Sequence, residues 1–156
     1  MTPKNTMILK LISFLLPLLL FIPPVQADST HSQDLGDYVV HYNALPTEVL
    51  QADIARQYGI TRSKFRGFIT VSIIKKTASA TGKPVKAKIS VSARNLNDQN
   101  KMLSLRQIEE GSAIYYVDDF RVANLETLNF KLTIRPENSH KNFTVNFRQQ
   151  FFTNPP

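Results

Sequence analysis

Strict alternation of apolar and polar residues is the pattern that most limits how this chain can fold. Within residues 127–135, Leu128, Phe130, Leu132 and Ile134 are separated by Asn129, Lys131 and Thr133. Residues 85–93 repeat the pattern: Val85, Ala87, Ile89, Val91 and Ala93 share one parity, and Lys86, Lys88, Ser90 and Ser92 the other. A period of two sends successive side chains to opposite faces of a strand, so each segment has one face for a core and one for water. Residues 37–43, 68–75, 101–109, 113–120 and 142–152 carry the same signal, weakest in 101–109. In 68–75, Ile69, Val71 and Ile73 face one way and Phe68 and Ile74 the other, which predicts a strand covered on both sides. Turn-forming residues separate the segments, including Thr81-Gly82-Lys83-Pro84, residues 95–100 and Gly111.

One stretch changes period. Leu50, Ile54 and Tyr58 recur every fourth residue, with Pro46-Thr47 before them and Gly59 after, so a short helix is expected over 48–58. Seven short strands with polar turns predict an all-β fold. The expected form is an antiparallel β-sandwich of about seven strands, immunoglobulin-like in layout, with one short helix after the first strand. An eight-stranded barrel is the alternative, and the strand count falls short of it. The chain has no cysteine and no tryptophan. The fold must therefore stand on packing without disulfides, and thiol catalysis and thiolate metal sites are excluded.

The N-terminus reads as an address. Lys4 and Lys10 precede an apolar run from 11 to 22, then Pro23-Pro24 and Val25-Gln26-Ala27. That is the layout of a secretory signal peptide cleaved after Ala27. A membrane anchor is the rival reading, but the run of 12 residues is short of the roughly 18–20 needed to span a bilayer. The expected organisation is a signal peptide at 1–27, a flexible polar leader at 28–35 and a single sandwich domain at 36–156. The expected location is the periplasm, with no membrane span after cleavage and no nucleic acid among the partners.

The formal charge is +7, or +5 without Lys4 and Lys10, and the cations are spread along the chain. Such a balance suits an anionic partner. The densest run is Arg62-Ser63-Lys64-Phe65-Arg66. If extended, it places Arg62, Lys64 and Arg66 on one strip able to grip a carboxylate or phosphate, with Phe65 turned into the fold. No G-x-S-x-G, H-E-x-x-H or Gly-rich phosphate loop is present. His31, His41 and His140 do not make a metal cluster by spacing, so no metal, cofactor or catalytic residue is assigned. Asp118 is expected to share the parity of Ile114 and Tyr116, where an inward charge can mark a strand edge or end. Tyr115, on the opposite parity, is the aromatic best placed for a surface contact. Phe151-Phe152 suits an edge cover or a partner contact.

Several strings resemble one family in combination. They are Leu35-Gly36-Asp37-Tyr38, Val40-His41-Tyr42-Asn43-Ala44, Tyr58-Gly59-Ile60-Thr61-Arg62-Ser63-Lys64, Gly111-Ser112-Ala113-Ile114-Tyr115-Tyr116 and Glu126-Thr127-Leu128-Asn129-Phe130. Together they resemble the small secreted proteobacterial family called domain of unknown function 4426, from about Leu35 to Phe152. The resemblance implies a periplasmic single-domain protein of a Gram-negative bacterium and implies no activity. Its most distinctive strings point to His41, Asn43, Arg62, Lys64 and Arg66 as a surface. The resulting expectation is a non-enzymatic binding or accessory module that meets a periplasmic protein or an anionic envelope component through the basic strip. A structural or assembly protein that pairs through a sheet edge is the alternative, and an unrecognised hydrolase a third.

Overall fold

The computed structural model describes residues 31–153; the expected signal peptide lies outside them. The chain forms two antiparallel sheets packed face to face, the sandwich that the alternation predicts. In chain order the strands are β1 (Ser32–Asp34), β2 (Tyr38–Pro46), β3 (Arg66–Lys75), β4 (Lys83–Pro84), β5 (Ala87–Asn95), β6 (Asn100–Leu103), β7 (Arg106–Glu110), β8 (Ala113–Arg121), β9 (Glu126–Pro136) and β10 (Phe143–Phe151). Sheet A has the order β1-β2-β3-β8-β7, with β4 also paired to β3. Sheet B has the order β10-β9-β5-β6.

Ten strands rather than seven follow from three local events. The stretch 28–35 is not a leader throughout: Ser32–Asp34 pairs with β2, and the Tyr42 N–H donates to the His31 carbonyl. Lys83–Pro84 takes over the edge of β3 beyond the last rung with β8, and Val85 donates to the Ile73 carbonyl. The weak segment 101–109 is two strands in different sheets. Leu103 ends β6 in sheet B, the chain crosses at Ser104-Leu105, and β7 begins in sheet A. At the crossing the Ser104 N–H donates to Asp118 Oδ2 at 2.8 Å. The inward carboxylate of β8 thus satisfies a backbone donor that has left one ladder for another.

The helix is shorter than its periodicity suggests. Thr47–Val49 is a 3-10 turn, Leu50 and Gln51 are extended, and α1 covers only Ala52–Gln57. Thr47 is fully buried, and its hydroxyl donates toward the carbonyls of Thr61 and Ser63 while accepting from the Ser63 N–H. It ties down the connection to β3 instead of capping a helix. The segment from Leu50 to Ile60 lies over the outer face of sheet A, where Ala55 and Ile60 bury Phe68 and Val117, with Leu45, Leu50, Tyr58, Ile108 and Tyr115 packed around them. β3 is therefore covered on both faces near its start, as its composition predicts.

The main core lies between the sheets. Val40, Ile69, Val71 and Ile73 of sheet A meet Val91, Leu128, Phe130, Leu132, Ile134 and Val145 of sheet B. Gly67 sits where two rings close on the start of β3. A Cβ there would lie 2.7 Å from the Phe120 ring and 3.0 Å from that of Phe151. The same end is clamped by Glu126. Its carboxylate accepts from Lys101 Nζ, from the Ala123 N–H at 2.9 Å and from Asn95 Nδ2 at 3.3 Å, linking β6, β9 and the β5–β6 hairpin. Burial alone would raise the pKa of Glu126, but Lys101 and the two other donors outweigh it and hold the carboxyl below its ordinary value of 4.5.

Two outcomes follow. Gly67→Ala should lower the unfolding free energy in urea by about 1–3 kcal/mol, because the added methyl overpacks a filled site. The depressed Glu126 contributes stability that is complete above its unfolded pKa and is lost as pH falls through the folded value. Lys101→Met removes the main counter-charge, so acid unfolding should begin at a higher pH than in the native chain, as followed by circular dichroism across a pH series.

Candidate functional site

The expected basic strip does not form. Residues 61–63 have no regular structure, Lys64-Phe65 is a turn closed by Arg66 N–H donating to the Ser63 carbonyl, and only Arg66 is in a strand. Without a period of two, the three cations point to three tasks. Arg62 Nη2 donates to the Glu48 carbonyl at 2.9 Å. Lys64 lies 5.1 Å from the centroid of the Phe65 ring. Arg66 Nε donates to Asp119 Oδ2 at 2.6 Å, diagonally across the β3–β8 ladder to the residue paired with Phe68, two rungs from its own. Phe65, expected inside, is 53% exposed, because the turn reverses its direction.

His41 and Asn43 lie on the outer face of sheet A, opposite Ser72 and Thr70 on β3. His41 is exposed and lines a shallow cleft of about 440 Å³ between Val39, Ile74 and the loop 76–82. Asn43 is in the middle of β2, not at its end. Tyr115 stands opposite Ile108 and packs with the cluster under α1, away from His41. Its neighbour Tyr58 has a phenol pushed up to about 12, first by burial and then by its hydrogen bond to Glu110. These groups anchor the helical cover to β7. Phe151 is part of the core, while Phe152 is exposed. The residues singled out from sequence are therefore distributed over separate places. Among the described residues there is no group of three or more His, Cys, Asp or Glu that could hold a metal ion.

Charge collects elsewhere. On the outer face of sheet B, β5 presents Lys88, Ser90, Ser92 and Arg94, β9 presents Asn129, Lys131, Thr133 and Arg135, and β10 presents Thr144, Asn146, Arg148 and Gln150. These twelve positions hold five cations and no carboxylate. The registers set Lys88 directly opposite Arg135, and place Arg94, Asn129 and Arg148 in one row across three strands. Directly opposed like charges destabilise a sheet. Two shallow depressions lie on this face. One, of about 450 Å³, is lined by Ser92, Arg94, Asn129, Lys131, Asn146 and Arg148, and the other, of about 310 Å³, by Lys88, Ser90, Thr133, Arg135 and Asn142. Among the described residues, a carboxylate reaches this face from its rim, where Asp98 pairs with Arg94 at 3.4 Å with both side chains exposed. Lys86, one residue before β5, is instead held by Glu109 of sheet A at 2.8 Å. The face combines cations with hydroxyls and amides on a nearly continuous surface, which can bind an extended anion and has no group poised for bond breaking.

The sequence displays the outward parity of each strand, but the sum appears only when β10, β9 and β5 are neighbours. The strip instead serves the fold. Arg66→Met should leave the Asp119 carboxylate, 15% exposed, without its partner and destabilise the protein by about 1–3 kcal/mol. Lys64→Ala should change stability by less than about 0.5 kcal/mol, as exposed substitutions do. Equal costs in denaturant titrations would contradict this division of labour.

Comparison with known proteins places this architecture. The family profile described as Domain of unknown function (DUF4426) matches residues 32–154. No match is found among curated proteins. A DUF4426 family protein from Pseudomonas aeruginosa PAO1 is 32% identical with a TM-score of 0.68, over 80% of this chain and 95% of that one. Two structures of FetP from uropathogenic E. coli strain F11 are similar in fold. One, "as isolated" after recombinant expression in the periplasm of E. coli BL21(DE3), has 9% identity and a TM-score of 0.57, over 78% of this chain and 92% of that one. The other, a copper-bound variant, has 10% identity and a TM-score of 0.55, over 77% and 93%. At such identities the likeness is one of fold alone.

Proposed function

The chain belongs to the DUF4426 family, whose function is unknown, and from that premise we propose that it is a periplasmic, non-enzymatic binding module holding an anionic ligand on the outer face of sheet B. The observation that carries this reading is the set of twelve outward positions with five cations and no acid. Nothing in the packing of a sandwich requires it. Opposite charges at Lys88 and Arg135 would serve the sheet better. An anion seated between them converts repulsion into two charge-assisted contacts, and the interleaved hydroxyls and amides supply neutral hydrogen bonds. The proposed ligand contact is thereby moved from Arg62, Lys64 and Arg66, which the turn at Lys64-Phe65 keeps from forming one strip, to Lys88, Lys131, Arg135 and their neighbours. His41 and Asn43 remain a separate polar patch on the opposite sheet.

The periplasmic address rests on the basic start, the short apolar run and the small residues before residue 28. No helix among the described residues is long and apolar enough to cross a membrane. The copper of one FetP structure is not carried over, because a likeness at 10% identity is one of fold alone. A second reading, assembly through a sheet edge, has one observation in its favour: β10, nine residues long and without proline inside it, is the outer strand of sheet B. It requires concentration-dependent oligomers in sedimentation.

The test of the first reading is titration of the purified protein into a fluorescent polyphosphate chain. Affinity should fall steeply as salt rises. Lys88→Glu with Arg135→Glu should weaken binding at least about tenfold, since contacts to charged groups contribute roughly 1.5–3 kcal/mol each. Arg62→Glu with Lys64→Glu should change it little. Absence of binding at low salt, or equal losses from the two pairs, would overturn the assignment.

A further inference from the structure

The large hydrophobic side chains exposed among the described residues are Val49, Phe65, Leu96, Met102, Leu125 and Phe152, each 51–76% accessible. The topology gathers them at one end of the sandwich. Val49 follows the end of β2, Phe65 precedes the start of β3, Leu96 follows β5, Leu125 precedes β9 and Phe152 follows β10, while Met102 lies on β6 beside the same hairpin. The registers put these termini together: Pro46 faces Gly67, Arg66 faces Arg121, Asn95 faces Leu128 and Glu126 faces Phe151. Hydrogen bonds tie the connection 122–125, which passes from sheet A to sheet B, to elements of both sheets. Val122 N–H donates to the Phe65 carbonyl at 2.9 Å, Thr153 N–H to Asn124 Oδ1 at 3.0 Å, and Gln150 Nε2 to the Leu125 carbonyl at 3.2 Å. The opposite end contributes none of the six.

Charge at this end is net positive. Its structural carboxylates are neutralised, Asp119 by Arg66, Glu126 by Lys101 and Asp98 by Arg94. Arg62, Lys64 and Arg121 have no carboxylate partner among the described residues, and Arg56 of α1 adds a further exposed cation, against the exposed acids Glu48 and Asp53. Lys64 lies over Phe65 itself, so an apolar tip and a cation occupy the same spot.

We propose that this end of the sandwich docks on an anionic lipid surface, with Phe65, Leu125 and Phe152 entering the interface and Arg62, Lys64 and Arg121 meeting the headgroups. Two features choose a lipid surface over a folded partner. The apolar groups are single side chains from separate connections, which a fluid apolar phase can receive without a matching relief. The uncompensated cations stand among them, where a membrane presents its negative charge. The inference concerns a surface separate from the sheet B face and does not depend on it.

The chain has no tryptophan, so Phe65→Trp is a single reporter. The protein, purified as an exporting cell processes it, is mixed with phosphatidylcholine vesicles with and without phosphatidylglycerol. Emission from position 65 should shift to the blue and become protected from an aqueous quencher on the anionic vesicles. Phe65→Ser with Leu125→Ser, both exposed and compatible with the fold, should reduce cosedimentation at least about tenfold, the effect expected of withdrawing two apolar side chains from an apolar phase. Lys88→Glu with Arg135→Glu should weaken polyphosphate binding and keep the emission shift, so the two surfaces fail separately. An unshifted emission, or serine variants that sediment like the native chain, would overturn the proposal. A shift already present without vesicles, together with a dimer in sedimentation, would overturn it in favour of a second copy of the chain.

Discussion

A ladder of aromatic rings across the gap between the sheets is the contact on which the architecture depends. Tyr42 of β2 stacks on Phe147 of β10 at 4.6 Å, and Phe147 stacks on Phe130 of β9 at 4.6 Å and 6°. Phe130 meets Phe120 of β8 edge to face at 5.7 Å, and Phe120 meets Phe151 in the same way. Three of the four steps join one sheet to the other, and the first joins strands from opposite ends of the domain sequence. A sandwich without disulfides must obtain its sheet-to-sheet adhesion from such area. Offset stacking and edge contacts also fix the relative placement of the sheets, because a ring has few favourable orientations against another. Gly67 belongs to the same device: its missing side chain is the space that Phe120 and Phe151 occupy.

Fixing the sheets this way leaves their margins to be resolved by single polar groups. Tyr116 accepts from the Ala87 N–H at 2.7 Å, a bond from the first residue of sheet B to a ring of sheet A. Asp118 receives Ser104 where the chain changes sheet. Glu126 gathers three donors where β6, β8 and β9 end or begin. Each polar residue of this kind sits near a place where a ladder stops, and backbone donors need another acceptor there.

This explains which parts of the fold could be read in the sequence. Parity within a strand is local, so the inward series Leu128, Phe130, Leu132, Ile134 and the two-sided character of 68–75 are legible. The partner of a strand is not local. Residues 101–109 have one weak alternation and become two strands: Leu103 and Leu105 reach the core from either side of a crossing where Asp118 accepts from the Ser104 N–H. The helix is over-read because Leu50 keeps helical spacing while its backbone is extended; Thr47 spends its hydroxyl on Thr61 and Ser63. The strip of Arg62, Lys64 and Arg66 fails for the same reason: it assumes extension where a turn at Lys64-Phe65 intervenes. The cationic face of sheet B was half visible, as Lys88, Lys131 and Arg135 on outward parities, but its coherence depends on the order β10-β9-β5.

The two outer faces of the sandwich differ in a way that bears on function. Sheet A is roofed at one end by the segment from Leu50 to Ile60, so its outer face takes part in a second small core with Phe68 and Val117. Among the described residues the outer face of sheet B has no such roof, and stability asks little of its side chains beyond solubility. Mixed charges would be the neutral solution there, since opposite pairs across strands are mildly favourable and like pairs are not. Five cations without an acid, two of them directly opposed, depart from that solution on three strands at once. A cost spread over independent strands, with Asp98 at the rim offsetting the share of Arg94, is what an external anion would offset.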